Sequence, residues 1–232
     1  MVMKTWMIMI VVATMLWAPY ATSAEEKRLV AIGDSIPFGY NIEEENLSPP
    51  KDSFPSIIAN ERGLEVTNLS IPGLTSKELL QAIKDNDIFR ESLKNADYVT
   101  VYIGGNDLLN VVKKNKGLDG LKIEQVAPVM RRLVDHVHSI ILEIDKLTDG
   151  KILVYNLYNP YPQAGKQLDV PLTYINQQYA SLIQLLDHFS DVQLVDAYHA
   201  YQGHPEYILP GDVHPTKQGQ RVLARLSLKY IQ

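Results

Sequence analysis

The chain has 232 residues, with 22 Lys and Arg against 27 Asp and Glu, a formal net charge of −5 and no cysteine. Net acidity removes the electrostatic footprint that nucleic-acid binding requires, and the lack of cysteine removes disulfides and thiolate chemistry. Past the first 24 residues, about 208 remain, enough for one domain with a full core.

The N-terminus reads as a targeting segment. A short start with one positive charge, Met1 to Lys4, precedes the nearly unbroken apolar run Trp6 to Trp17. Pro19 ends the run, and Ala21-Thr22-Ser23-Ala24 offers small residues for cleavage. This layout predicts a secretory signal peptide over residues 1–24 and a secreted or cell-envelope location. The run is short for a membrane span, so none is expected after cleavage; a retained N-terminal anchor is the alternative. Residues 25–232 are expected to form a single domain.

The first element is the apolar run Leu29-Val30-Ala31-Ile32, which reads as a strand covered on both faces. It stops at the turn Gly33-Asp34-Ser35. Ile36 to Pro50 carries Pro37, Gly39, Pro49, Pro50 and the acidic triplet Glu43-Glu44-Glu45, and reads as a surface loop. Ser53 to Arg62 reads as a helix, with Asp52 or Ser53 as cap, Pro55 in the first turn and Gly63 as stop. Leu64 to Leu69 alternates and reads as the second strand. Thr75 or Ser76 caps a helix to about Asp85. Ala96 to Ile103 is the third strand and ends in Gly104-Gly105-Asn106-Asp107. Apolar residues at steps of three and four from Ile123 to Leu147 predict a long amphipathic helix. Lys151 to Leu157 is the fourth strand, followed by a loop holding Tyr158, Tyr161 and Pro162. A helix marked by Ile175, Tyr179, Leu182 and Leu186 leads to a fifth strand, Val192 to Val195. Asp196 to Val213 is mostly loop, and Thr216 caps a closing helix to about Tyr230. Strands alternating with helices predict a three-layer α/β domain around a parallel sheet.

Four loops carry chemistry: Gly33-Asp34-Ser35, Pro72-Gly73, Gly105-Asn106-Asp107 and Asp212-Val213-His214-Pro215. The first three follow strands one to three, so a parallel sheet brings them to one edge, where such sheets place ligands. Together they fit acyl transfer. A serine hydroxyl is a weak nucleophile until a base takes its proton, and His214 is the candidate base. The oxyanion of the tetrahedral intermediate needs donors already in place. The backbone amides of Ser35 and Gly73 and the side-chain amide of Asn106 can supply them. A glycine at 73 also lets a substrate approach the backbone.

Four blocks in this order, Gly-Asp-Ser-Ile, Ile-Pro-Gly, Gly-Gly-Asn-Asp and Asp-Val-His-Pro, resemble the markers of the SGNH hydrolases, or GDSL esterases and lipases, over residues 28 to 230. The resemblance implies a flavodoxin-like five-stranded parallel sheet in the order 2-1-3-4-5. It also implies metal-free ester hydrolysis with no cofactor, through Ser35, His214 and an acid. One departure concerns that acid, which in the family usually lies three residues before the histidine. Here that position is Gly211, and Asp212 lies two before. Asp212 orients the imidazole, or a backbone carbonyl does so and leaves a Ser-His dyad; Asp196 is a further substitute. The substrate implied is a small-molecule or polysaccharide carboxylic ester: short acyl, lipid or carbohydrate O-acyl. An acyltransferase using the same acyl-enzyme and a non-catalytic carbohydrate- or lipid-binding module are the alternatives.

The remaining histidines have plainer readings. His136 and His138 do not share a helix face and read as surface or rim residues. His188 lies near a helix end. His199 and His204, with His214, Asp196 and Asp212, match no compact metal-ligand spacing. Asp107 reads as the cap of a local helix.

Overall fold

Short β-branched runs with no charge inside them have to be buried on both faces, and this chain has several. The computed structural model describes residues 26–161 and 166–232; the expected signal peptide and Pro162 lie outside them. The strands are β1 (Arg28–Gly33), β2 (Glu65–Asn68), β3 (Tyr98–Tyr102), β4 (Lys151–Tyr155) and β5 (Val192–Val195). They form one parallel sheet in the order β2-β1-β3-β4-β5. Every residue of β3 is buried, as are all but the first of β1 and β4, because helices cover both faces.

The helices are α1 (Ser35–Phe38), α2 (Phe54–Arg62), α3 (Ser76–Asp85), α4 (Asp87–Lys94), α5 (Gly105–Lys114), α6 (Ile123–Asp145), α7 (Lys166–Leu186), α8 (Ala197–Tyr201) and α9 (Lys217–Leu228). A 3-10 turn spans Pro205–Tyr207. Helix α2 packs against α9, while α6 packs against α3, α5 and α7. The apolar stripe of α6 (Val126, Met130, Leu133, Val137, Ile140, Ile144) is buried as its spacing predicts. Local signals end the elements where expected. Thr75 and Glu78 form a reciprocal capping box on α3, and Thr216 caps α9 through the Gly219 amide. Ser53 starts α2 without a side-chain cap bond.

Three expectations change. Residues 36–38 are not surface loop. Asp34 caps them into one buried helical turn that the left-handed Gly39 ends. Asn106 and Asp107 begin α5 rather than lying in a loop. Helix α4 carries too short an apolar pattern to stand out, and α8 interrupts the expected loop before His214.

Gln220, on α9, ties α2 and α9, which pack together on one face of the sheet, to the turn that follows β1. Fully buried, it accepts from the Phe54 amide at 2.8 Å and donates to the Ile36 carbonyl at 3.0 Å. The Phe54 amide is an unpaired donor of the first turn of α2 without it. Gln220→Leu is therefore expected to lower unfolding stability by about 1–3 kcal/mol, read as a shifted urea midpoint at unchanged slope. An unshifted midpoint contradicts this role.

Candidate active site

The sheet order reverses between β1 and β3. Connections leaving these two neighbours run to opposite faces, so a crevice opens beyond their carboxyl ends. The two strand ends are held close. The Asp34 amide donates to the Tyr102 carbonyl at 3.2 Å, and a Cβ on Gly33 (φ 148°) would fall 2.0 Å from that same oxygen. Only glycine fits. Asp34 then accepts the Ile36 amide at 2.9 Å, which starts α1 and sets Ser35 at its first position, 8% exposed.

Ser35 Oγ lies 3.0 Å from His214 Nε2, although 179 residues separate them. His214 Nδ1 lies 2.7 Å from Asp212 Oδ1. The acid two residues before the histidine therefore reaches the ring. Leu209-Pro210-Gly211-Asp212 makes this possible. The Asp212 amide donates to the Leu209 carbonyl at 3.0 Å, and the Leu209 amide donates to the His214 carbonyl at 2.9 Å. Pro then Gly in the middle, with Gly211 at φ 74°, is the pattern of a type II turn. Gly211 serves the turn, and the carboxylate moves one place on. Asp196 is engaged elsewhere, with Asn156 at 2.8 Å and His199 at 2.6 Å.

Asp212 has a partner that the sequence reading missed. Asn41 Nδ2 donates to Asp212 Oδ2 at 2.7 Å. Asn41 sits at φ 63°, a conformation Asn tolerates, and Asn46 pins it by 2.7 and 3.1 Å bonds. Burial pushes the Asp212 carboxyl up, but hydrogen bonds from Asn41 and the Val213 amide, with His214, outweigh it and hold the group below its ordinary value. The Tyr40 ring packs on His214 with centroids 5.1 Å apart. The expected loop thus supplies two residues that hold the histidine and its acid.

Donors face Ser35 from two sides. The Ser35 and Gly73 amides find no acceptor among the described residues. Gly73 has φ 86°, and a Cβ there would meet no atom within 4 Å; glycine is needed for its backbone conformation. Asn106 Nδ2 donates one hydrogen to the Leu74 carbonyl at 3.0 Å, which leaves its second hydrogen for the cleft. Asp34, Ser35, Tyr40, Gly73, Asn106 and His214 line one cleft.

Asp107 does not cap its own helix. Its carboxylate takes the Ser76 amide at 2.9 Å and the Ser76 hydroxyl at 2.7 Å, and so caps α3. The half-buried His136 places Nδ1 2.8 Å from the same hydroxyl. It is an inward partner of this network, not the surface or rim residue its spacing suggested. Together with the Leu74–Asn106 bond, the network holds the Gly73 loop against α5. Elsewhere His204 pairs with Glu206 at 2.8 Å. The three histidines of the 199–214 segment thus have separate carboxylates, and no group of three metal-ligating side chains occurs among the described residues. No helix among those residues is long and apolar enough to cross a membrane.

The model of the GDSL-like lipase/acylhydrolase family matches residues 31–222. The chain is similar to the uncharacterized protein YpmR of Bacillus subtilis (strain 168), at 24% identity over 208 residues, covering 85% of this chain and 78% of the relative. It is also similar to the spore germination lipase LipC of Bacillus licheniformis, at 26% over 156 residues, covering 66% and 71%. Among solved structures, the lipase Lip_vut3 from a goat rumen metagenome superposes with a TM-score of 0.69 at 22% identity, covering 86% of this chain and 95% of that one. At that identity the likeness is one of fold.

Asp34 is 2% exposed. Burial first, and the charge of Asp107 in addition, push its carboxyl up to about 7, against the pull of the Ile36 amide. The folded protein therefore keeps a proton that the unfolded chain releases near 3.8. This contribution to stability is complete below pH 4, falls as pH rises towards 7 and is constant above. Asp34→Asn keeps the cap and removes the titration. Its stability relative to wild type is expected to rise by on the order of 3 kcal/mol between pH 4 and 7. A difference in urea unfolding that does not vary with pH contradicts this.

Proposed function

The chain belongs to the GDSL-like lipase/acylhydrolase family and is a hydrolase of ester bonds; from that premise we propose that it works through an acyl-enzyme on Ser35. The observation that carries this reading is the hydrogen-bonded run from Ser35 Oγ through His214 to Asp212, at 3.0 and 2.7 Å. His214 Nε2 takes the Ser35 proton as Oγ attacks the ester carbonyl. The tetrahedral oxyanion is received by the Ser35 and Gly73 amides and the Asn106 side chain. His214 then gives the proton to the departing alcohol. Water enters, loses a proton to His214, attacks the acyl carbon and releases the acid, and Ser35 regains its proton. Asp212 holds the ring with Nε2 towards Ser35 and stabilises the imidazolium. Asn41 holds Asp212, and the Asp107–Ser76–His136 network holds the oxyanion donors in place. No step calls for a metal or cofactor.

The substrate in this proposal is a carboxylic ester of a small molecule or polysaccharide. The LipC similarity supports a lipid ester within that range. Export is also part of the proposal, supported by the composition of residues 1–24. N-terminal sequencing of protein recovered outside the cytoplasm, reading from Glu25, checks it.

Hydrolysis of p-nitrophenyl butyrate tests the mechanism. Ser35→Ala and His214→Ala are expected to lower kcat by about a thousandfold or more, and Asp212→Ala by about a hundredfold or more. Asn41→Ala removes a charge-assisted bond to the orienting acid and is expected to cost about tenfold in kcat with KM little changed. Full turnover by Ser35→Ala rules out the acyl-enzyme. Full turnover by Asp212→Ala leaves a dyad in its place.

A further inference from the structure

Beside the Ser35 cleft lies a second, apolar cavity of about 90 Å³. The two adjoin and share Gly105, Leu109, Tyr161 and Val213 in their linings. Away from the cleft the walls are apolar: Tyr102 at the end of β3, Leu108 and Val112 on α5, Leu121, Val126 on α6 and Leu172 on α7. The hydroxyl of Tyr158, also in the wall, is already spent on the Val213 carbonyl at 2.6 Å.

We propose that this cavity is the acyl-chain subsite and that the natural substrates are esters of medium- or long-chain fatty acids. The inference rests on the Ser35 acyl-enzyme. An acetyl group has no alkyl chain to place in such a cavity. A sugar inside it would lose its water without gaining hydrogen bonds, at a cost that apolar walls cannot offset. An alkyl chain loses nothing polar and gains by leaving water. Helix α5 carries Leu108, Leu109, Val111 and Val112, yet none of its residues is fully buried. Among the described residues it roofs space that no side chain fills, as a ligand cavity requires. A second observation points the same way. Tyr158 and Leu157, just past the end of β4, and Ile36, just past the end of β1, also face this cavity, so it opens at the same carboxyl edge of the sheet as the Ser35 cleft.

The test is kcat/KM on p-nitrophenyl acetate, butyrate, octanoate and palmitate, which share one alcohol. Wild-type values are expected to rise by roughly two- to fourfold per methylene from acetate to octanoate. Val112→Trp and Leu121→Trp fill the cavity from two different elements. Each is expected to keep acetate turnover within about twofold and to lose octanoate turnover by at least tenfold. Octanoate as product should inhibit wild-type acetate hydrolysis competitively, and the tryptophan variants should escape it. A wild-type profile that falls with each methylene overturns the proposal. So does a loss in both variants that is equal for acetate and octanoate. Acetate turnover that survives Ser35→Ala overturns the serine assignment itself, a result distinct from either.

Discussion

The site depends on how closely the ends of β1 and β3 meet. These strands are neighbours at the point where the sheet order reverses, so the chain leaves them in opposite directions. Gly33 allows the approach, since any side chain there would strike the Tyr102 carbonyl. The Asp34 amide then uses that carbonyl as its acceptor. Ser35 comes from one strand end and Asn106 from the other, so the separation of the proposed nucleophile and oxyanion donor is set by backbone contact. Rigid elements of this kind hold a reactive geometry better than free loops do.

Three carboxylates lie near this junction, each in different surroundings. Asp34 is enclosed and holds its proton up to about pH 7. Asp107 faces an amide and a hydroxyl of Ser76. Asp212 is ionised well into acid because Asn41 and the Val213 amide supply hydrogen bonds. In the proposed acyl-enzyme mechanism, a negative charge beside His214 would favour the imidazolium, whereas one beside Ser35 would oppose the oxyanion. The protein separates these effects by burying one acid and hydrogen-bonding another.

The site and the cavity differ in how they are built. Ser35, His214 and Asn106 are tied to buried backbone, and Gln220 links α1 to α2 and α9. The cavity is roofed by α5 and the segment to Leu121, which pack only partly against the rest. Sparse apolar contact lowers the free energy of local opening. For the fatty-acyl substrate proposed above, a firm floor at Ser35 under a looser apolar roof would let an alkyl chain enter without disturbing the serine.

Much of this was legible in the residues. Apolar periodicity identified all five strands and the long helix, because burial on both faces dictates composition locally. Ser35, Gly73, Asn106 and His214 stood out because each follows a strand or precedes a capped helix. Asp212 was a candidate beside a backbone carbonyl and Asp196, and the Pro210-Gly211 turn brings its carboxylate within 2.7 Å of His214 Nδ1. Asn41 was invisible, since its partner is 171 residues away and one hydrogen bond leaves no periodic trace. His136 and Asp107 were misread for the same reason, as their meeting point is Ser76 on another helix. The cavity was beyond sequence altogether. Leu108, Val112 and Val126 look like core residues, and only packing determines whether the space they face is filled.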